Sequence, residues 1–263
     1  MKLATTLRQT DSSHPPLVLI HGLGSAATAF KPIIAALSQS FRVITVDLPG
    51  HGDSPYLKGQ AMEPKSLGSA IFDAIASEYG VERFHVAGNS LGGWIALEMA
   101  AAEPNRILSL TGLAPAGLWL VPAQKREMRE ARSYYLARLF KPFIRIGLHS
   151  KILRWIGFAT VSPRWQELSY ETCFDASYAM LNCPGYFPAW DGMLTRRFDA
   201  HIPQSLPVTI LFGDSDNTLP YPISQERTLA PAHCTWLTID QCGHAPMWDY
   251  PELMVTIIKQ VAS

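Results

Sequence analysis

The chain predicts an α/β fold: a mostly parallel, doubly wound sheet carrying an inserted helical cap. Three observations predict it. Short apolar runs alternate with longer stretches of helical periodicity, the pattern of strand–helix–strand units. Loops rich in Gly and Pro follow the apolar runs, at the carboxyl ends where such sheets bind ligands. Residues 116–200 contain no strand-like run and break the rhythm.

Taken in order, "LVLI" (17–20) reads as a buried strand ending at His21-Gly22, and 31–40 has helical spacing at Ile33, Ile34 and Leu37. "FRVITVD" (41–47) is a strand running into "LPGHGDSP". Residues 65–79 place Leu67, Ile71, Ile75 and Tyr79 on one helical face. A strand at 83–89 and a helix at 91–102 follow, then strands at 106–115, 206–213 and 234–239 and a last helix over about 249–261. Residues 1–115 and 201–263 thus form the expected core, and 116–200 the cap. Within the cap, 123–140 predicts one helix, and 162–181 a second with Ser162 as N-cap and Pro163 at its first position.

With 263 residues, 48% hydrophobic and 17% charged, the chain can bury a large core. Zero net charge provides no global field for nucleic acid. The cap carries twelve basic and seven acidic side chains, the remainder ten and fifteen. Cys173, Cys183, Cys234 and Cys242 form no C-x-x-C or zinc spacing, so free thiols in a reducing cytoplasm are expected. The first residues lack a signal-like apolar core, and no run is long enough to span a bilayer. No metal site or nucleotide-binding glycine pattern is evident, so no cofactor is expected; the expected partner is a small-molecule substrate. Oligomeric state leaves no trace.

"VAGNSLGGW" (86–94) carries the chemistry. Ser90 lies between Gly88 and Gly92, after a strand and before a helix. A serine hydroxyl needs a base and must project from the backbone. A sharp strand-to-helix turn projects it, at the cost of strained backbone and small neighbours, and aims the Leu91 amide at a developing oxyanion. A second amide donor is expected at Leu23, in "HGLGSAA" (21–27), where His21 reads as a structural side chain fixing the loop. Among eight histidines, His244 alone sits in a glycine-containing loop between the last strand and the last helix. The carboxylate that orients it is Asp214 or Asp216, in "VTILFGDSDNTLP". His51, Asp47, Asp53 and Asp249 have local readings as loop, strand-end, turn and helix-start residues.

In this order, Ser90, Asp, His244, the chain resembles the α/β-hydrolase superfamily, over nearly its whole length. The resemblance implies that the acid is the last aspartate of "GDSD", Asp216, and that the cap is the family's variable lid. A serine nucleophile differs from the epoxide hydrolases and haloalkane dehalogenases of this fold, which use aspartate. "HGLG" differs from the "HGGG" of one lipase-like branch. "GNSLGG", with Asn89, is similar to carbon–carbon bond hydrolases and also to small-molecule esterases, and "TRRFD" offers Arg196 and Arg197, of which Arg196 is the candidate for a substrate carboxylate. Of the four cap tryptophans, Trp119, Trp155, Trp165 and Trp190, two or more are expected to pack the cap onto the core, and Trp119 and Trp190 are the candidates for an apolar pocket. The resemblance implies a carboxylic-ester hydrolase. A hydrolase of vinylogous diketo acids and a non-catalytic ligand receptor are the alternatives.

Overall fold

The computed structural model describes residues 2–8, 13–126, 134–135, 138–139 and 141–263. Seven strands form one sheet: β1 (Ala4–Leu7), β2 (Pro16–Ile20), β3 (Arg42–Asp47), β4 (Phe84–Asn89), β5 (Ile107–Leu113), β6 (Val208–Gly213) and β7 (Thr235–Ile239). Their order is β1-β3-β2-β4-β5-β6-β7. Only β1 is antiparallel, pairing with β3; every other neighbouring pair is parallel. β1 was not expected from the sequence: its four residues lie at the sheet edge and none is fully buried.

The apolar runs are continuous because both sheet faces are covered. In β2, Val18 and Ile20 join one core and Leu17 and Leu19 the other, as period two requires. The first core is closed by α2 (Pro64–Tyr79) and α3 (Leu91–Ala102), the second by α1 (Lys31–Leu37) and the C-terminal helix. α2 starts with Pro64 in its first turn and ends at Gly80, whose φ of 63° is a left-handed cap.

Between β5 and β6 the described elements are all helical: α4 (Ile144–Gly147), α5 (Lys151–Phe158), α6 (Tyr170–Leu181) and α7 (Tyr186–Met193), besides a short 3₁₀ turn. The helix expected over 123–140 falls mostly outside the described residues; 123–126 are not helical, whereas Tyr134, Tyr135, Arg138 and Leu139 are. The helix expected over 162–181 starts only at Tyr170, with Ser169 as its N-cap. Ser162 Oγ does accept the Arg164 amide, at 3.1 Å, as a cap would, while its proton goes to the buried carboxylate of Asp249, but the residues after it form only turns before the helix begins. The last helix is split into α8 (Pro246–Asp249) and α9 (Pro251–Ala262), since a residue preceding proline is steered out of the helical region. No helix of the described residues is long and apolar enough to cross a membrane.

The chain runs from β2 out to β3, then returns to β4 on the other side of β2. The strand order therefore reverses between β2 and β4, and their carboxyl ends frame a crevice. The loops on that edge are tied from behind. His21 Nε2 accepts the Leu48 amide at 3.0 Å, so its Nδ1 donates to the Gly22 carbonyl at 2.7 Å. Asp47 accepts the amides of Ala27 and Asp53, drawing the loops after β2 and β3 together. His51 packs 5.3 Å from His21, and both rings are fully buried. Burial holds His21 down at about 4; burial, with the neighbouring His21, holds His51 at about 3.

Two predictions follow from this packing. A Cβ at Gly92 would lie 2.1 Å from the Ile20 carbonyl oxygen, so Gly92→Ala must push α3 off β2. The expected loss is about 1–3 kcal/mol, read from the urea midpoint, whereas Gly157→Ala, with nothing within 4 Å, is neutral or stabilising. An unchanged midpoint for Gly92→Ala contradicts the packing. The histidines set a pH window. The unfolded chain binds protons near 6.5 but folded His21 only near 4, so stability is full above 6.5 and falls as the pH drops toward 4. His21 alone contributes on the order of 3 kcal/mol to that fall. Urea midpoints at neutral and mildly acid pH should converge in a His51→Gln variant, relative to wild type; an equally steep fall in the variant rules His51 out.

Candidate active site

Ser90 is the single residue between β4 and α3, at φ 55° and ψ −118°. A non-glycine residue rarely adopts a positive φ, and it persists only where surrounding structure forces it. Here the force is packing and hydrogen bonding. A Cβ at Gly88 would lie 2.2 Å from the Gly92 carbonyl oxygen, so strand and helix meet with no room for side chains. The Ser90 amide donates to Leu113 at 3.0 Å, and its carbonyl accepts from Trp94 and Ala116. Its neighbours Asn89 and Leu91 are buried while Ser90 is half-buried, so the side chain is the part that reaches outward.

His244 and Asp216 come from the loops after β7 and β6. His244 Nδ1 lies 2.8 Å from Asp216 Oδ2, and both residues are buried. The other carboxylate oxygen, Oδ1, accepts the Thr218 and Leu219 amides at 2.9 and 2.8 Å. A carboxylate only accepts, so the imidazole proton sits on Nδ1 and the Nε2 lone pair is left facing away from Asp216. Asp214, the other candidate, is exposed and accepts from Ser215 Oγ.

Asn89 joins the two halves. Its Nδ2 donates to the His244 carbonyl at 2.9 Å and to the Leu113 carbonyl at 3.0 Å. The residue before Ser90 thereby clamps the backbone of His244. Asn89 was expected at the substrate; instead its two donors are committed to the protein. Nothing in the local sequence signals this, because the partner lies 155 positions away.

The loop after β2 passes beside Ser90. A Cβ at Gly22 would lie 2.9 Å from Ser90 Cβ and 3.5 Å from its Oγ. Leu23 follows directly, and Leu91 opens α3, where first-turn amides lack helical acceptors. Neither amide takes part in the loop and turn hydrogen bonds among the described residues. Gly24 is covered by the helical segment: its Cβ position is 2.9 Å from the Tyr186 ring and 3.5 Å from Met180. Neither residue was singled out from the sequence.

The same segment also supports His244. The Val161 carbonyl accepts the His244 amide at 2.7 Å. Asp249 accepts from Ser162 Oγ through one oxygen and from the Gly243 amide, at 2.7 Å, through the other. Burial pushes the Asp249 carboxyl up, and these two hydrogen bonds pull it back. Asp249 is therefore more than the helix-start residue expected.

The remaining expected contacts have protein partners. Trp119 Nε1 donates to the Arg196 carbonyl at 2.8 Å and its ring meets Trp94 edge-on. The exposed Arg196 guanidinium reaches Glu63 Oε1 at 3.3 Å, an ion pair at the surface. Trp190 packs edge-on against Tyr186, the ring over Gly24. All four cysteines are unpaired, and no group of three or more His, Cys, Asp or Glu among the described residues could hold a metal ion.

Comparison with known proteins shows the family. Residues 17–257 match the alpha/beta hydrolase family. A pimeloyl-[acyl-carrier protein] methyl ester esterase of Aliivibrio salmonicida (strain LFI1238) is 28% identical over 257 residues, covering 94% of this chain and 92% of its own. The fold is shared with the esterase RhEst1 from Rhodococcus sp. ECU1013, at a TM-score of 0.76 and 17% identity, over 99% of this chain and 94% of that one. It is shared too with 2-hydroxy-6-oxo-6-phenylhexa-2,4-dienoate hydrolase (BphD) from Rhodococcus sp. strain RHA1, at a TM-score of 0.70 and 23% identity, over 95% and 91%. With the family match spanning nearly the whole sheet and the segment inserted in it, this chain belongs to the alpha/beta hydrolase family.

Proposed function

We propose that the protein is a serine hydrolase of carboxylic esters, working through an acyl-enzyme. The observation that carries this reading is the buried 2.8 Å contact of His244 with Asp216, in a loop that Asn89, the residue before Ser90, holds by the His244 carbonyl. The printed name of the Aliivibrio relative, a methyl ester esterase, supports the ester as the bond cleaved.

Ser90 Oγ attacks the ester carbonyl carbon while His244 Nε2 takes the hydroxyl proton. Asp216 holds the Nδ1–H tautomer and stabilises the imidazolium; its two backbone donors keep the carboxylate from turning away. The carbonyl oxygen becomes an oxyanion, received by the amides of Leu23 and Leu91. The intermediate collapses, the carbon–oxygen bond breaks, and the alcohol leaves with the proton from His244. Water then adds to the acyl carbon, giving its proton to His244. Ser90 recovers a proton as the acid departs. Residues 116–200 act as the cap over this edge, with Tyr186 above the oxyanion loop.

A carbon–carbon bond hydrolase would lean on Asn89 and Arg196, and both are engaged within the protein. A receptor would have no need of a histidine held in one tautomer.

Ser90→Ala should lower kcat on p-nitrophenyl esters by on the order of 10⁶. Asp216→Asn should lower it by about 10⁴, whereas Asp214→Asn should leave it nearly unchanged. A fluorophosphonate should label the wild type and not Ser90→Ala. Full ester turnover by Ser90→Ala, or absence of labelling in the wild type, would end the proposal.

A further inference from the structure

One helix of the segment between β5 and β6 is inside out. In α5, Ile152, Leu153, Trp155 and Ile156 are 69, 50, 56 and 63% exposed. Phe158 is only 5% exposed and packs with Leu148, Leu168 and Cys173. On Phe158's side, Arg154 is drawn inward and its guanidinium donates to the Leu168 carbonyl. At about 100° per residue, positions 152, 153, 155 and 156 share one face, and 154 and 158 the other. A surface helix of a globular protein normally turns its apolar stripe to the core. This one turns it to solvent. Just before it, Phe143 and Ile146 are 62 and 75% exposed. Exposed large apolar side chains gathered in this way mark an interaction surface.

Charge identifies what the surface meets. From 131 to 166 the chain has seven Lys or Arg and no Asp or Glu, within a protein of zero net charge, and of these Arg154 turns inward to Leu168 and Arg164 pairs with Glu167. Lys141, Arg145 and Lys151 flank the apolar residues and are exposed. A second copy of the chain would bring basic against basic, which costs association energy. An acidic protein would match the charges but would have to cover six large apolar side chains. An apolar helix face with an exposed tryptophan, flanked by Lys141, Arg145 and Lys151, fits a bilayer interface, where apolar side chains enter the acyl boundary and cations meet headgroups.

We propose that α5 and the turn preceding it dock this protein on the surface of an anionic phospholipid bilayer. The contact is peripheral, since no helix of the described residues could span the membrane. It does not rest on the esterase reading.

The test is flotation of the full chain with vesicles of phosphatidylcholine and phosphatidylglycerol in equal parts, beside pure phosphatidylcholine. The protein should float with the anionic vesicles, more weakly with the neutral ones, and less as salt rises. Ile152→Ser with Ile156→Ser should weaken partitioning about tenfold or more. Lys141→Ala and Lys151→Ala should each weaken it about fivefold on anionic vesicles only. Melting curves and turnover of a soluble ester should be unchanged in these variants, which separates lost docking from lost folding. Failure to float with anionic vesicles overturns the proposal. So does flotation that the Ser variant retains. Sedimentation showing that the Ser substitutions split a dimer instead assigns the face to a second copy and also overturns it.

Discussion

The site depends on one steric constraint: the first turn of α3 is pressed against the ends of β2 and β4 with no space between backbones. Cβ positions at Gly88 and Gly92 would fall about 2 Å from carbonyl oxygens of the opposing element. The chain can then leave β4 and enter α3 only through one residue bent to a positive φ, which is Ser90. The same contact sets the loop after β2 beside the Ser90 hydroxyl, because Gly22 follows within two residues of the Ile20 carbonyl that Gly92 touches. Hydroxyl and loop are therefore positioned by one contact. Local backbone strain is offset by burial of the apolar strands on both sheet faces.

The imidazole is positioned differently, by hydrogen bonds from three directions. Asp216 holds its ring, Asn89 holds its carbonyl, and Val161 accepts its amide. The first two partners belong to the sheet edge, the third to the helical segment. Ser162 and Asp249 add a second link between that segment and the Gly243–His244 turn. In the proposed mechanism the base is thus braced partly by the cap, and cap and catalytic loop form one support.

Most of the fold is legible in the sequence, because strands covered on both faces are continuous apolar runs that end in Gly and Pro. β1 is not legible, since four residues at an edge carry no such run. That Ser90 stands at a strand-to-helix turn and that His244 meets an aspartate after β6 was readable from position along the chain and from resemblance, although spacing alone left Asp214 beside Asp216. What separates the two is burial and the contact with His244, which are properties of the fold. The failures share one cause. Ser162 accepts a nearby amide as a cap would, yet its proton goes to Asp249, 87 positions away, and Asn89 donates to a carbonyl 155 positions away. A polar side chain goes to the strongest buried acceptor within reach, and sequence proximity does not tell which that is.

The helical segment shows the same competition at the level of a whole helix. Local pattern would turn Ile152, Trp155 and Ile156 inward. Instead Phe158 enters a small cluster with Leu148, Leu168 and Cys173, and Arg154 caps the Leu168 carbonyl. That cluster meets the second core of the sheet only through Trp248, so the segment has its own, much smaller interior. A small interior can take in one aromatic ring of α5 but not a full apolar face. The remaining apolar side chains stay outside, next to lysines that keep the face hydrated when nothing covers it. Such a face is tolerable in water and favourable at a charged lipid boundary, and that difference in free energy is what would drive docking.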